Sequence, residues 1–247
     1  MKKIIKYLFL LTGGSFILAS CNDFLDREPL DSVTPDNFFF TENDLAAYAV
    51  KHYNFTTHEG FNAGIWRNDN ATDNQAATDY DKKWIPGQWK VPEAYDNPAS
   101  NDPWYFSAIR EANYFLETVV PRFEKGEIEG SETNIKHYIG EMYFLRAKNY
   151  LSKLETFGDF PIIKNTLPDE SASLIQASKR EPRHKVARFI LEDLDLAIGL
   201  LTNTISGGKN RITQNAALLL KSRAALYEAS WLTYHKGTAL VPGGPGW

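Results

Sequence analysis

Cysteine is almost missing from this chain: Cys21 is the one thiol among 247 residues. A single thiol excludes an internal disulfide and any zinc site built from several cysteines. Histidine is scarce as well, and His52, His58, His137, His184 and His235 show no His-Glu-x-x-His spacing, so the zinc-protease pattern is lacking. No glycine-rich phosphate loop is present. No apolar run reaches the about 20 residues that a bilayer-spanning helix requires. Positive charge is also short, with 27 Lys and Arg against 31 Asp and Glu and a net charge of −4. Lys2, Lys3 and Lys6 fall in the leading segment, which makes the remainder more acidic still. Such a balance leaves no basic stripe for a phosphate backbone, and nucleic acid is not an expected partner.

What remains is an ordinary globular composition with 43% hydrophobic residues and an aromatic content of 13%. Residues 1–20 combine three lysines with a short apolar stretch that Gly13 and Gly14 interrupt. They read as a secretory signal, to be set apart from the fold. Leu18-Ala19-Ser20-Cys21 also resembles a bacterial lipobox, in which the cysteine becomes the first residue and carries acyl chains. Several chains give a stable anchor, since each buried methylene contributes about 0.8 kcal/mol. Residues 21–40, rich in Asp and Pro, read as an extended tether.

Helical periodicity governs most of the body, residues 41–247. Thr41 with Asp44 three residues later predicts an N-cap, and Leu45, Tyr48, Ala49, His52 and Tyr53 share the face of a short helix. A second helix is predicted from Pro103 to Pro121, where the proline is expected to stop it. A third covers about 132–156 with Gly158 as its stop. A fourth covers about 182–201 and a fifth about 213–234. Phe160-Pro161-Ile162-Ile163 reads as a short extended run. Arg146-Ala147-x-x-Tyr150 with Phe157 and Arg223-Ala224-x-x-Tyr227 with Tyr234 are offset by the same interval. That spacing suits repeated helix–loop–helix units of the tetratricopeptide kind. The expected fold class is all-α: tetratricopeptide-like helical hairpins with a long aromatic-rich loop inserted at 54–102.

In order, CNDFLDREPLDSVTPDNFF, WYFSAIREANYFLETV, YIGEMYFLRAKNYLSKLETFGDFPII, KREPRHKVARFILEDLDLAIGLL and NRITQNAALLLKSRAALYEASWLTYHKGT resemble the SusD/RagB family of surface nutrient-binding lipoproteins. The resemblance implies a tetratricopeptide-like scaffold that binds glycan or another nutrient. It further implies a lid role on a SusC-type TonB-dependent transporter, a cell outer membrane location facing the exterior, and no enzyme activity and no cofactor. Family members usually continue well past the length of this chain, so it reads as the N-terminal part of a longer protein, its helical domain incomplete at Gly-Gly-Pro-Gly-Trp247.

For ligand contact the 54–102 loop supplies Trp66, Arg67, Tyr80, Trp84 and Trp89. Flat aromatic faces stack on the apolar face of a sugar ring, and planar polar groups bind its hydroxyls. Packing of these rings onto the helices is the competing reading. Catalytic alternatives are thin: no pair of carboxylates is singled out for glycoside hydrolysis. Residues 69–74 are a poor calcium loop without the required glycine, and Tyr80 stands where the closing Glu belongs. No catalytic residue and no metal ligand is therefore assigned. The alternative function is a helical-repeat scaffold lipoprotein for another protein, with no small ligand. Replacement of Cys21 by Ala should release the protein from the membrane fraction into the soluble one. Retention of that variant on membranes through detergent-free washing would refute lipid attachment.

Overall fold

The computed structural model describes residues 38–55, 85, 103–204 and 210–247. Among them six helices form and no strand does: α1 Glu42–Lys51, α2 Ser107–Glu124, α3 Glu132–Phe157, α4 Ser171–Ala177, α5 Arg183–Leu200 and α6 Gln214–Tyr234. The fold is all-α, as expected from the periodicity.

Local chemistry sets the ends. The Asp44 backbone N–H donates to Thr41 Oγ1 at 3.3 Å while the Thr41 N–H donates to Asp44 Oδ2 at 3.0 Å, a complete capping box for α1. Thr213 caps α6 in the same way through the Ala216 N–H, at 3.2 Å. Gly158, with φ 74°, ends α3 in a left-handed conformation and donates its N–H to the Leu154 carbonyl at 3.0 Å. Pro121 does not end α2 as expected; the helix runs on to Glu124. The ring is exposed and lies in the last turn, where little helix is left to disrupt. The turn beyond it is held by Arg122, whose guanidinium sits 4.2 Å over the Phe40 ring.

α3 is the central element. It packs most heavily on α5, then on α2 and α1. Its residues Ile135, Tyr138, Ile139, Met142, Leu145, Tyr150 and Leu154 are all buried, and so are His137, Glu141, Phe144, Arg146 and Leu151. Gly140 admits α5 closely: a Cβ there would lie 3.0 Å from Leu201 and 3.1 Å from Leu200. α2 contributes Ile109, Ala112, Phe115, Leu116 and Val119, and α5 contributes Val186, Phe189, Ile190, Leu194 and Ala197. Phe39, in a left-handed backbone conformation at φ 71°, is fully buried against Tyr48 and Phe115 at ring distances of 5.0 and 5.3 Å.

The extended run after α3 makes only an isolated bridge, Phe160 to Glu181. Side chains satisfy its other backbone groups. The Tyr150 hydroxyl accepts from the Ile163 N–H at 2.8 Å and donates to its carbonyl at 3.1 Å, and the Asn113 amide donates to the Ile163 carbonyl at 2.9 Å. Burial pushes the Tyr150 hydroxyl up to about 12. The short α4 was not foreseen. It buries none of its residues, so no apolar period marks it in the sequence.

α6 is apolar around its circumference yet buries only Ala217, Ala224 and Glu228. Leu219 is 73% exposed and Leu226 69%, one helical repeat apart, with Leu218 and Leu232 also exposed. Apolar residues on all sides characterise helices of an interior, and a contiguous exposed patch of this kind promotes association. α6 carries more apolar surface than α5 covers. Leu219→Gln with Leu226→Gln should convert self-associating protein to monomer in sedimentation velocity, with helical circular dichroism unchanged. Wild-type protein that sediments as a monomer and binds no hydrophobic dye would refute this.

Candidate functional site

Trp66, Arg67, Tyr80, Trp84, Trp89 and the lipid-attachment candidate Cys21 lie outside the described residues. The described chain does show how the two ends of the intervening segment are held. Lys148 and Lys153 stand five residues apart on α3. The Lys148 Nζ donates to the Asn54 carbonyl at 3.3 Å. The Lys153 Nζ donates to the Tyr105 carbonyl at 3.1 Å and also to the Pro103 carbonyl. The second half of α3 thus fastens the stem that leaves α1 and the stem that enters α2.

Between those stems lies a cavity of about 490 Å³, bounded by the end of α1, the start of α2 and the stretch of α3 from Met142 to Thr156. Its walls include Lys51, His52, Glu111, Lys148, Asn149 and Ser152. His52 Nδ1 lies 3.1 Å from Glu111 Oε2, and the His52 side chain is nine-tenths buried. Burial holds the imidazole below its ordinary range; Glu111 pulls the other way and Lys51 adds to the lowering. The ring is therefore neutral near pH 7 with its proton on Nδ1 toward Glu111, a tautomer assigned from that contact. Its Nε2 is buried without a hydrogen-bond partner.

A second cavity, of about 380 Å³, lies on the other side of α2 beneath the segment that carries α4. Trp104, Phe106, Ile109, Ile163, Leu167 and Leu174 are among its walls. Trp104 is occupied by protein: its ring lies 4.0 Å from that of Phe157 and 5.9 Å from that of Phe160, and the Arg180 guanidinium sits 5.4 Å away over it. These rings are packing residues of the Phe-Gly-Asp-Phe-Pro corner. The sequence reading missed this cluster. Its signal was the aromatic pair flanking Gly158-Asp159, Phe157 and Phe160, four and seven residues beyond Lys153.

Among the described residues no group of His, Cys, Asp or Glu is arranged to hold a metal ion, and no helix is long and apolar enough to cross a membrane. The weak calcium-loop resemblance at 69–74 falls outside them. A prediction follows from the lowered His52. The unfolded imidazole, with a pKa of about 6.5, binds a proton more readily than the folded one. Its contribution to stability is present above that value and is lost as the pH falls below it. Between pH 7.5 and 5 the melting temperature of His52→Gln should fall less than that of wild type. Equal falls would remove His52 from the acid response.

The family model for SusD-like proteins, described as starch-binding and associating with the outer membrane, matches residues 23–226. SusD-like protein P2 of Formosa agariphila is 27% identical over 219 residues, which covers 86% of this chain and 40% of that protein. SusD-like protein P25 of the same organism is 23% identical over 243 residues, covering 94% of this chain and 44% of the relative. The crystal structure of a SusD-like protein from Bacteroides fragilis superposes with a TM-score of 0.59 at 25% identity, over 83% of this chain and 38% of that one. A SusD-like carbohydrate binding protein from the same species gives 0.58 at 19% identity, over 81% and 40%, a likeness of fold alone. The chain spans about two fifths of the length of these relatives. With its family model matched over residues 23–226, most of the sequence, this chain belongs to the SusD-like family.

Proposed function

We propose that the protein is a surface-exposed outer-membrane lipoprotein that binds glycan or another nutrient and delivers it to a SusC-type TonB-dependent transporter. The observation that carries this reading is the family match over residues 23–226, whose description joins starch binding to the outer membrane. Three features of the chain support it. Leu18-Ala19-Ser20-Cys21 supplies the acylation signal. The segment from Trp66 to Trp89 supplies aromatic and planar polar groups of the kind that hold sugars. Lys148 and Lys153 bring the stems of that segment together on a buried helix, and a site on a rigid element loses less entropy on binding. The family is one of binding proteins without catalysis; the role here is to capture and hand over.

A scaffold for another protein has one observation in its favour, the uncovered apolar face of α6. That face lies on a different helix from those that fasten the aromatic segment, so the two readings call for different variants.

A tryptophan has only two side-chain rotors, which keeps the entropy cost of stacking on a sugar low. Affinity for one ring is weak, and a polymer gains by several contacts or by many anchored copies. Trp84→Ala with Trp89→Ala should abolish retardation in native gels laced with starch, laminarin or polygalacturonate, with the helical spectrum retained. Retardation equal to wild type would make both rings packing residues. Normal binding of a partner protein by the α6 variant Leu219→Gln, Leu226→Gln would remove the scaffold reading.

A further inference from the structure

The cavity between the loop stems has a charge that the surrounding fold does not use. Three ammonium groups line it, Lys51, Lys148 and Lys153, against a single carboxylate, Glu111. That carboxylate is already engaged: His52 Nδ1 lies 3.1 Å from one oxygen, and Ser107 Oγ donates to the other at 3.4 Å. Lys153 is engaged as well, by the carbonyls of Pro103 and Tyr105.

Lys148 is half-buried, and among the described residues no carboxylate pairs with it; its contacts are the neutral Asn54 carbonyl at 3.3 Å and the face of the Phe55 ring at 5.2 Å. An ammonium carries three donors, so two find no oxygen acceptor among the described residues. Burial lowers its pKa with no negative group to offset the loss of water. Buried charges are as a rule paired; Lys136 and Lys185, both more exposed, each have a carboxylate four residues away. Elsewhere on the lining the exposed Lys51 likewise has no ion-pair partner among the described residues, only the Tyr48 ring at 5.9 Å. Polar groups fill the space between: Asn54, Ser107, Asn149, Ser152 and the buried, donorless Nε2 of His52. About 490 Å³ falls within the range of small-ligand pockets, about 300–1,000 Å³.

We propose that this cavity takes a sugar ring bearing an anionic group, with the anion on Lys148 and Lys51 and the ring hydroxyls on the amides and hydroxyls between them. The inference rests on the glycan-binding reading above and narrows it to acidic glycans. Carboxylate and sulfate share the required chemistry, a compact anion on a hydroxylated ring. An acidic saccharide offers two things the cavity lacks: a counter-ion for the cations and hydroxyl donors for acceptors such as His52. A neutral glucan offers only the second, and a simple anion only the first.

The 247-residue chain is titrated with polygalacturonate, dextran sulfate and laminarin oligosaccharides at low and at high sodium chloride. At least one acidic glycan should bind tenfold or more tightly than laminarin, and salt should erase that margin. The carboxylate and sulfate arms tell which anion is preferred. Lys51→Gln with Lys148→Gln should lose the preference; the glutamine amide keeps a donor for the Asn54 carbonyl, so the stem stays fastened. Lys148→Arg, which keeps the charge, should retain it. Laminarin bound as tightly as both acidic glycans, or a preference untouched in the double glutamine variant, overturns the acidic assignment and leaves glycan binding standing. Inorganic phosphate competing as well as digalacturonate overturns the sugar. No binding of any of the three polysaccharides sinks the glycan-binding reading itself, and this inference with it.

Discussion

The buried carboxylate of Glu141 is the constraint on which the rest of the scaffold depends. It sits on α3 with no solvent access, where an unpaired charge would cost several kcal/mol. Its partners come from three places in the chain. Arg211, just before α6, donates from Nε at 2.8 Å and from Nη2 at 2.5 Å. The Tyr53 hydroxyl, just after α1, donates at 2.6 Å and in turn accepts from the Ile212 N–H at 2.9 Å. His137, one turn earlier on α3, lies 3.2 Å away, an electrostatic contact rather than a hydrogen bond, and its Nδ1 accepts from the Thr202 N–H beyond α5. A single charge therefore fixes where α1 ends, where α5 exits and where α6 begins. Burial and this carboxylate push the Tyr53 hydroxyl well above its ordinary range, so it remains a donor at any pH the fold survives.

The same requirement recurs about one and a half turns along α3. Arg146 makes paired bonds to Asp193 of α5, both at 2.7 Å, and a third to Asn113 of α2 at 2.9 Å. Farther on, Arg183 at the start of α5 reaches Glu228 of α6 at 2.8 Å and lies 4.1 Å over Trp231. Bidentate guanidinium–carboxylate contacts are directional. They fix the register of helices whose apolar faces alone would tolerate a slide of one turn. Removing one partner of such a pair strands the other in the interior, a cost of roughly 3–5 kcal/mol, whereas the apolar contacts around it lose little.

The helices were legible because apolar residues recur at helical spacing from Leu45 to Trp231, and Thr41, Pro182 and Thr213 mark their starts. The ion pairs were not. Arg146 and Arg223 look alike in the sequence, at equal places in the two repeated segments, yet Arg146 is buried and Arg223 is largely exposed, 3.9 Å from Glu155. Ala147 and Ala224 are both buried, as a repeat requires, but Tyr234 is 87% exposed where its counterpart Phe157 stacks on Phe160. The difference lies in the neighbours: α3 is wrapped by α1, α2 and α5, while α6 packs mainly on α5. A periodic pattern shows which residues share a face, not how many helices will cover it. Pro121 illustrates the converse, a local stop signal outweighed by a tertiary contact, Arg122 on Phe40.

The candidate site was legible only in part for a related reason. The aromatic residues from Trp66 to Trp89 stand out by composition, but the residues that hold their stems do not. Lys148 and Lys153 occupy positions that in any amphipathic helix would be read as its solvated face. Their role depends on Asn54 and Pro103, distant in sequence and brought together only by the packing of α1 and α2 on α3. Along that one helix the polar residues change duty. Glu141 and Arg146 are closed off by protein partners and determine the fold. Lys148 retains donors that no oxygen acceptor among the described residues takes, and it borders the cavity. Scaffold and candidate site are consecutive turns of the same helix. Substitutions at Glu141 or Arg146 therefore strike folding first, and loss of ligand in such a variant says nothing about recognition. Changes at Lys51 and Lys148, where the charge is bonded to no carboxylate among the described residues, separate recognition from folding.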